Sequence, residues 1–391
     1  MKKTLYILLV LLVLAACSTT SHLPEGEVLY TGIEKIEVED KLGTVAEENA
    51  LLEVEAALAY QPNGAFMGSS SLRSPLQVGL WTYNAYVDKA RKGFSKWLFD
   101  SFSTPPITIS HVSPATRAKV ATSLLQNYGY FRGNVNYELV SQKNPKKQKI
   151  TYRVKLDKPY LFDSIQYRFP VTEDSLLRTT AHEAYIRRGS QFSTLDLTNE
   201  KTRIVNTLRD NGFYYYRPDY ITYLADSTNT PYRVALRVVP DIDMPAKARK
   251  QYYFGNVSAY IRQPRTRSAR QSTGGRRTEL QYTDSLMLND LKIVYQGDRM
   301  PVAPRVLFKN FKFWKRRTFN QSRVDQTLAN LHSMNIFSGM KFTFTPRDTT
   351  LTNDTLDVRL DLTMDQLIDT EVNFNITQKS NSQIGPSLGL I

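Results

Sequence analysis

The chain has 391 residues, 51 of them Lys or Arg and 37 Asp or Glu, and a formal charge of +14 at pH 7. Hydrophobic residues at 41% and aromatics at 11%, with 23 Tyr and 18 Phe, exclude a disordered chain, a collagen, a coiled coil and a polytopic helical membrane protein, and they favour strands. One Cys excludes an intrachain disulfide and a cysteine metal cluster, and His22, His111, His182 and His332 lie too far apart for a metal motif. The sequence has no Gly-rich phosphate loop, HExxH or GxSxG. We therefore expect no enzyme: no catalytic residues, no cofactor and no metal site.

The N-terminus has the shape of a secretory signal peptide over residues 1–16. Lys2 and Lys3 precede a ten-residue apolar run, Leu5 to Leu14, that is too short to cross a bilayer as a helix. The run ends in Leu14-Ala15-Ala16-Cys17, which resembles the lipobox of bacterial lipoproteins. That resemblance implies cleavage before Cys17 and acylation of its thiol and new amino group. The alternative is an ordinary signal peptide that happens to contain a Cys. Residues 17–26 form a polar tether. The absence of an acidic run after Cys17 favours a periplasm-facing anchor, and Ser18 resembles outer-membrane sorting.

Beyond the tether the chain repeats one unit three times. Helices are predicted over Ser113–Asn127, Leu197–Asp210 and Gln321–Met334, with apolar stripes at Val120, Leu124 and Leu125, at Ile204, Val205 and Leu208, and at Val324, Leu328 and Leu331. Ser113, Thr198 and Asn320 or Ser322 are the expected caps. Gly129, Gly212 and Asn335 follow the helices at positions suited to positive φ, with Tyr130-Phe131, Phe213-Tyr214 and Ile336-Phe337 just beyond. Each helix is followed by two alternating strands joined by a polar turn: 134–139 with 149–156, 219–224 with 232–239, and 341–345 with 355–362. A further strand opens each unit, at 28–38, 160–169 and 252–261. The order strand, helix, helix, strand, strand predicts an α+β fold with antiparallel C-terminal hairpins.

The unit resembles the POTRA domain of the BamA/TamA superfamily of outer-membrane assembly proteins. The third copy carries the resemblance best: Met300-Pro301-Val302-Ala303-Pro304-Arg305-Val306-Leu307, then Asn320 to Leu331, then Ile336-Phe337. The lipobox and Val78-Gly79-Leu80-Trp81-Thr82-Tyr83-Asn84 resemble the lipoprotein branch, the TamL-type proteins of Bacteroidetes. The organisation expected is a tandem array of three POTRA-like domains, at 27–157 with an insertion, 158–241, and 248–364 with a basic loop at 262–278. The start of a transmembrane β-barrel follows at 365–391. In residues 370–378, Val372, Phe374 and Ile376 share one face and Glu371, Asn373, Asn375 and Thr377 the other, the pattern and length of a transmembrane strand. Ile384 to Ile391 would begin a second. The expectation is a fragment, or a product truncated at the barrel start; a soluble hairpin and a deliberately short periplasmic module are the alternatives.

Two stretches are strongly basic. Arg262, Arg265, Arg267, Arg270, Arg276 and Arg277 lie among Ser, Thr, Gly and Gln. A solvated loop is favoured there over an anionic-lipid arm, and a signal peptide removes nucleic acid as a partner. Lys309, Lys312, Lys315, Arg316 and Arg317 interleave with Phe308, Phe311, Phe313 and Trp314, which suits a membrane interface or a strand with inward-packed rings equally. Residues 83–102 are expected to form an amphipathic helix packed on the core.

The resemblance implies a lipid-anchored outer-membrane scaffold with its soluble domains in the periplasm. It would bind unfolded outer-membrane protein clients by β-augmentation and work with other assembly-module subunits. Its membrane contact would be lipid through acylated Cys17. The other function class is a periplasmic lipoprotein that hydrolyses or binds carbohydrate.

Overall fold

The computed structural model describes residues 19–40, 43–88, 92–263, 282, 284–297, 299–347 and 353–365, together with the backbone of 372–378 and 384–390. Cys17 and most of the basic run 262–278 lie outside the described residues, so the expected acylation site and basic loop have no structural account.

In the first repeat, β1 (Leu29–Val38) leads to α1 (Val45–Leu58). Thr44 starts that helix with a capping box: its hydroxyl accepts from the Glu47 N–H, and the Glu47 carboxylate accepts from the Thr44 N–H at 2.9 Å. Two helices follow, α2 (Val78–Tyr86) and α3 (Gly93–Phe102), then a single turn, Ile109–Val112, and α4 (Pro114–Asn127). The strands β2 (Asn134–Ser141) and β3 (Lys147–Lys155) form the closing hairpin. β3 lies in the middle of the sheet, antiparallel to β2 and parallel to β1. Ala50, Val54 and Leu58 of α1 meet Ala118, Ala121 and Leu125 of α4 in a core completed by Tyr30, Ile150, Tyr152 and Val154.

The second repeat has β4 (Leu161–Tyr167), α5 (Val171–Thr179), α6 (Thr194–Asp210), β5 (Ile221–Asp226) and β6 (Arg233–Pro240), with the sheet order β4-β6-β5. The third begins with β7 (Tyr253–Arg262) and adds a hairpin that the sequence reading did not name, β8 (Asp284–Leu288) and β9 (Leu291–Tyr295). Asn289 turns that hairpin at φ 48°. Then come α7 (Pro304–Asn310), α8 (Gln321–His332), β10 (Phe337–Pro346) and β11 (Thr355–Met364). The sheet order is β10-β11-β7-β9-β8, with β7 parallel to both of its neighbours. Alternation along β11 buries Leu356, Val358, Leu360, Leu362 and Met364 in the core. Finally, β12 (Val372–Gln378) and β13 (Ile384–Leu390) pair antiparallel. The chain is thus α+β, with parallel opening strands and antiparallel hairpins.

The described residues fall into two compact bodies. One comprises the described residues up to Gln166, with Tyr185–Asn199 and Leu224–Arg237; the other comprises Tyr167–Ala184, Glu200–Tyr223 and the described residues from Val238 onward. The division runs inside the second repeat.

Each body contains the same local motif. In the first, the Tyr160 N–H donates to the Gly129 carbonyl at 2.9 Å and the Tyr160 carbonyl accepts from the Phe192 N–H at 2.8 Å. In the second, Tyr252 donates to Gly212 and accepts from Phe319, both at 2.8 Å. Gln191 donates its side-chain amide to the Tyr128 carbonyl, and Gln251 does the same to Asn211. The helix-ending glycines have φ of +83° and +103°, as expected from their place after each helix, and Asn335 has φ 53°. The aromatics after the first two of these helices pack on this motif. Phe131 packs edge-on against Tyr160 and Phe192, and Tyr214 against Phe319, with ring centroids about 5 Å apart.

Several local expectations need correction. Ser113 accepts no capping bond; its hydroxyl donates to the Ser110 carbonyl at the preceding turn. Thr198 is inside α6, which begins one turn earlier, where the Ser193 hydroxyl accepts from the Asp196 N–H. Val120 is exposed. Thr327, not Leu328, takes the buried position on α8, because its hydroxyl can accept from the Lys312 N–H and donate to the Arg323 carbonyl. Residues 83–102 are not one helix: α2 ends at Tyr86 and α3 starts at Gly93, and the rings of Phe94, Trp97 and Phe102 are exposed, not packed in the core. Phe311 and Phe313 are buried in the third core with Phe308 and Trp314 against it. Inward packing therefore holds for that run, in a helix end and coil instead of a strand.

Candidate functional site: an edge groove in the third repeat

Among the described residues the topology leaves β10 at one end of its sheet, paired with β11 alone. A terminal strand presents a row of unpaired N–H and C=O groups to any extended chain that arrives. β10 is ten residues long, longer than the corresponding edge strands β2 and β5. Its Lys341, Thr343 and Thr345 are exposed, while Met340, Phe342 and Phe344 lean on the core. The edge is therefore anchored by an apolar face and wetted by a polar one.

Alongside this edge runs α8. Its start is fixed twice. The Asn320 side chain accepts from the Arg323 N–H at 2.8 Å, and the Asp210 carboxylate accepts from the Ser322 N–H at 2.7 Å and hydroxyl at 2.6 Å. An anionic cap on the first turn is favoured by the helix dipole. Val324, Thr327 and Leu331 seat the helix on the core, which turns Leu328, Ala329 and His332 toward the strand. Between them and Phe337, Ser338, Gly339 and Met340 lies a groove of about 420 Å³. A bulge between Phe337 and Gly339 marks the groove end of β10, and there the Ser338 hydroxyl donates to the Met364 carbonyl at 3.2 Å.

The groove is mostly apolar, with His332 its one titratable side chain. Its chemistry is that of a binding surface: backbone groups for main-chain pairing and an apolar trough for alternate side chains. Among the described residues no group of three His, Cys, Asp or Glu could hold a metal ion. No helix among them is long and apolar enough to cross a membrane. The sequence showed the helix and the strand but not the groove, because Leu328 reads as a member of the core stripe. The signal lay in Ala329 and His332, which extend Leu328 into a second face.

No protein-family model and no curated protein matches the chain. Solved structures do. The POTRA3-5 fragment of Haemophilus influenzae BamA is similar at 11% identity over 88% of this chain and 100% of that one, with a TM-score of 0.36. BamA from Haemophilus ducreyi lacking POTRA domains 1-3 is similar at 13% identity over 57% of this chain and 33% of that one, with a TM-score of 0.35. The N-terminal domain of Omp85 from Thermosynechococcus elongatus is similar at 14% identity over 88% of this chain and 100% of that one, with a TM-score of 0.24.

Proposed function

We propose that this chain is a lipid-anchored scaffold of the outer membrane. Its α+β repeats would lie in the periplasm and bind unfolded outer-membrane protein clients at the β10 edge, together with other assembly-module subunits. In this reading Cys17 carries the lipid, and the chain performs no catalysis. The observation that carries the reading is the juxtaposition of a terminal strand with an apolar trough along the same edge. An extended client that adds to β10 gains main-chain hydrogen bonds without a strict sequence requirement, and its alternate side chains enter the space beside Leu328, Ala329 and Met340. The POTRA-like order of strands and helices and the Leu14-Ala15-Ala16-Cys17 run support the location.

The test is a titration with an extended peptide of alternating apolar residues. Ala329→Trp fills the trough from an exposed helix position and should weaken binding by about tenfold or more, a loss of about 1.4 kcal/mol. Thr343→Ala removes a side chain but no backbone group and should leave affinity within about twofold, since main-chain pairing supplies the binding. Unchanged affinity in Ala329→Trp would sink this reading, as would turnover of any substrate.

A further inference from the structure

In the first repeat the insertion between α1 and α4 presents an aromatic face to solvent. On α3 the side chains of Phe94, Trp97 and Phe102 are 74%, 54% and 50% exposed. They are in mutual contact: Phe94 stacks on Trp97 with centroids 5.4 Å apart, and Phe102 meets Trp97 edge-on at 5.9 Å. At 3.6 residues per turn the three span roughly 140° of the helix. The helix also has a proper inner side, where Phe99 lies 5.9 Å from Tyr83 of α2. The outward rings are therefore a second apolar face. Lys92, directly before α3, and Lys96 within it are exposed.

The N-terminal tether is fastened to this insertion. The His22 Nε2 atom lies 2.9 Å from the Asp88 carboxylate. Cys17 is five residues from His22, and Asp88 is five residues from Gly93. Each stretch spans at most about 18 Å when fully extended. A bilayer that holds Cys17 is thus within reach of α3. Aromatic rings settle at headgroup depth, and lysine side chains reach from there to anionic phosphates.

We propose that α3 is a membrane-contact element: Phe94, Trp97 and Phe102 enter the interface of the bilayer in which Cys17 is anchored, with Lys92 and Lys96 at the headgroups. This rests on the anchor in the proposed function, and it adds a second attachment point that would fix the first repeat against the membrane. A single acyl site would leave that repeat free to swing on its tether.

The experiment uses the full chain reconstituted in phosphatidylethanolamine and phosphatidylglycerol vesicles, with Trp81→Phe and Trp314→Phe leaving Trp97 as the only indole. Brominated phospholipid should quench Trp97 emission by about half or more, as for a ring at headgroup depth. Phe94→Ser with Phe102→Ser should abolish most of that quenching. In the unsubstituted chain, a carbene-generating phospholipid should label the peptide covering residues 93–102. The mass of the N-terminal residue reads the anchor separately. Acylated Cys17 with Trp97 unquenched and residues 93–102 unlabelled overturns the membrane contact and leaves the anchor intact. Quenched Trp97 without acyl chains sinks the anchor and keeps the contact. A Trp97 shielded from aqueous iodide but untouched by brominated lipid means that a protein covers this face, which also overturns the proposal.

Discussion

The helix pairs of the first and second repeats meet one requirement with an arginine in each, one half-buried and one buried beside a carboxylate. In both, a later helix must satisfy the carbonyls left open at the end of an earlier one. In the first repeat Arg117 of α4 donates to the Ala57 and Ala59 carbonyls at the end of α1, at 2.9 and 3.3 Å, and its guanidinium lies 4.6 Å over the Tyr60 ring. Glu200 occupies the corresponding place on α6, since Arg117 and Glu200 stand equally far before Gly129 and Gly212. The cap there is Arg203, one turn later, which donates to the Thr180 carbonyl and hydroxyl at 3.2 and 2.6 Å. Arg117 is half-buried, so part of its side chain reaches solvent. Arg203 and Glu200 are buried and pair at 2.6 Å, with the Tyr167 hydroxyl donating to the same carboxylate at 2.7 Å. The arginine one turn later is shut off from solvent, and a buried cation needs a paired anion, which Glu200 supplies.

The sharpest way to break this comparison is Arg203→Met. It leaves the Glu200 carboxylate buried with no cation, which should cost about 3–5 kcal/mol in urea unfolding. Adding Glu200→Leu should recover a large part of that loss. If single and double variants unfold alike, the two charges are not coupled and the comparison fails.

Next in size is the glycine frame on which the alignment of the two helices rests. A Cβ on Gly129 would lie 2.8 Å from the Phe192 carbonyl oxygen, a backbone atom, whereas on Gly212 it would meet the Thr318 methyl at 2.9 Å and the Gln251 side chain. Both glycines have positive φ, so Gly→Ala is unfavourable at each. Gly129→Ala should cost about 2–3 kcal/mol and Gly212→Ala about 1–2 kcal/mol, because a side chain can yield where a carbonyl cannot. Hydrogen exchange at Tyr160 and Tyr252 would read the two separately. Equal protection losses would show that the two motifs are held alike.

The repeat itself was legible in the sequence, and the reasons are local. Alternation marks β11 residue by residue, and the positive-φ positions Gly129, Gly212 and Asn335 announce the three helix ends. What was not legible depends on which atoms meet across the fold. Glu200 and Arg203 stand three residues apart on α6, a spacing that fits an exposed helix face as well as a buried one. Thr327 reads as polar and is fully buried, because Lys312 and Arg323 satisfy its hydroxyl. Phe94, Trp97 and Phe102 read as core and are exposed, since amphipathicity reports that a helix has an apolar face but not what covers it. The groove needed α8 and β10 placed side by side.

Arg117→Met is expected to cost about 1–2 kcal/mol, less than the change at Arg203, because water can reach the carbonyls it leaves. Matched losses at the two arginines, measured in the same denaturant series, would mean that burial does not separate them.

The smallest effect concerns Tyr152, on β3 beneath this arginine. Its hydroxyl is buried and has no hydrogen-bond partner among the described residues. Burial pushes the phenol up to about 12, against the pull of the Arg117 charge and with a small push from Tyr137. An unfolded tyrosine releases its proton near pH 10. Between pH 10 and 12 the unfolded chain therefore holds fewer protons than the folded one, and stability falls as pH rises through that window. Tyr152→Phe removes both the unsatisfied hydroxyl and the titrating group. At pH 7 it should be neutral or stabilising by up to about 1 kcal/mol, since an apolar ring replaces an unpaired buried polar atom. Above pH 10 it should also flatten the loss of stability relative to wild type, with the remaining slope left to Tyr30 and Tyr128, which burial raises in the same core. In the second repeat the tyrosine facing the ion pair is raised by burial first and by Glu200 next, so Tyr167→Phe should not behave the same way. It deletes a hydrogen bond to the buried carboxylate and should be destabilising at neutral pH. A stabilising Tyr167→Phe, or a Tyr152→Phe that lowers the melting temperature at pH 7, would erase the distinction between a repeat that caps its helices beside water and one that does so in the dry interior.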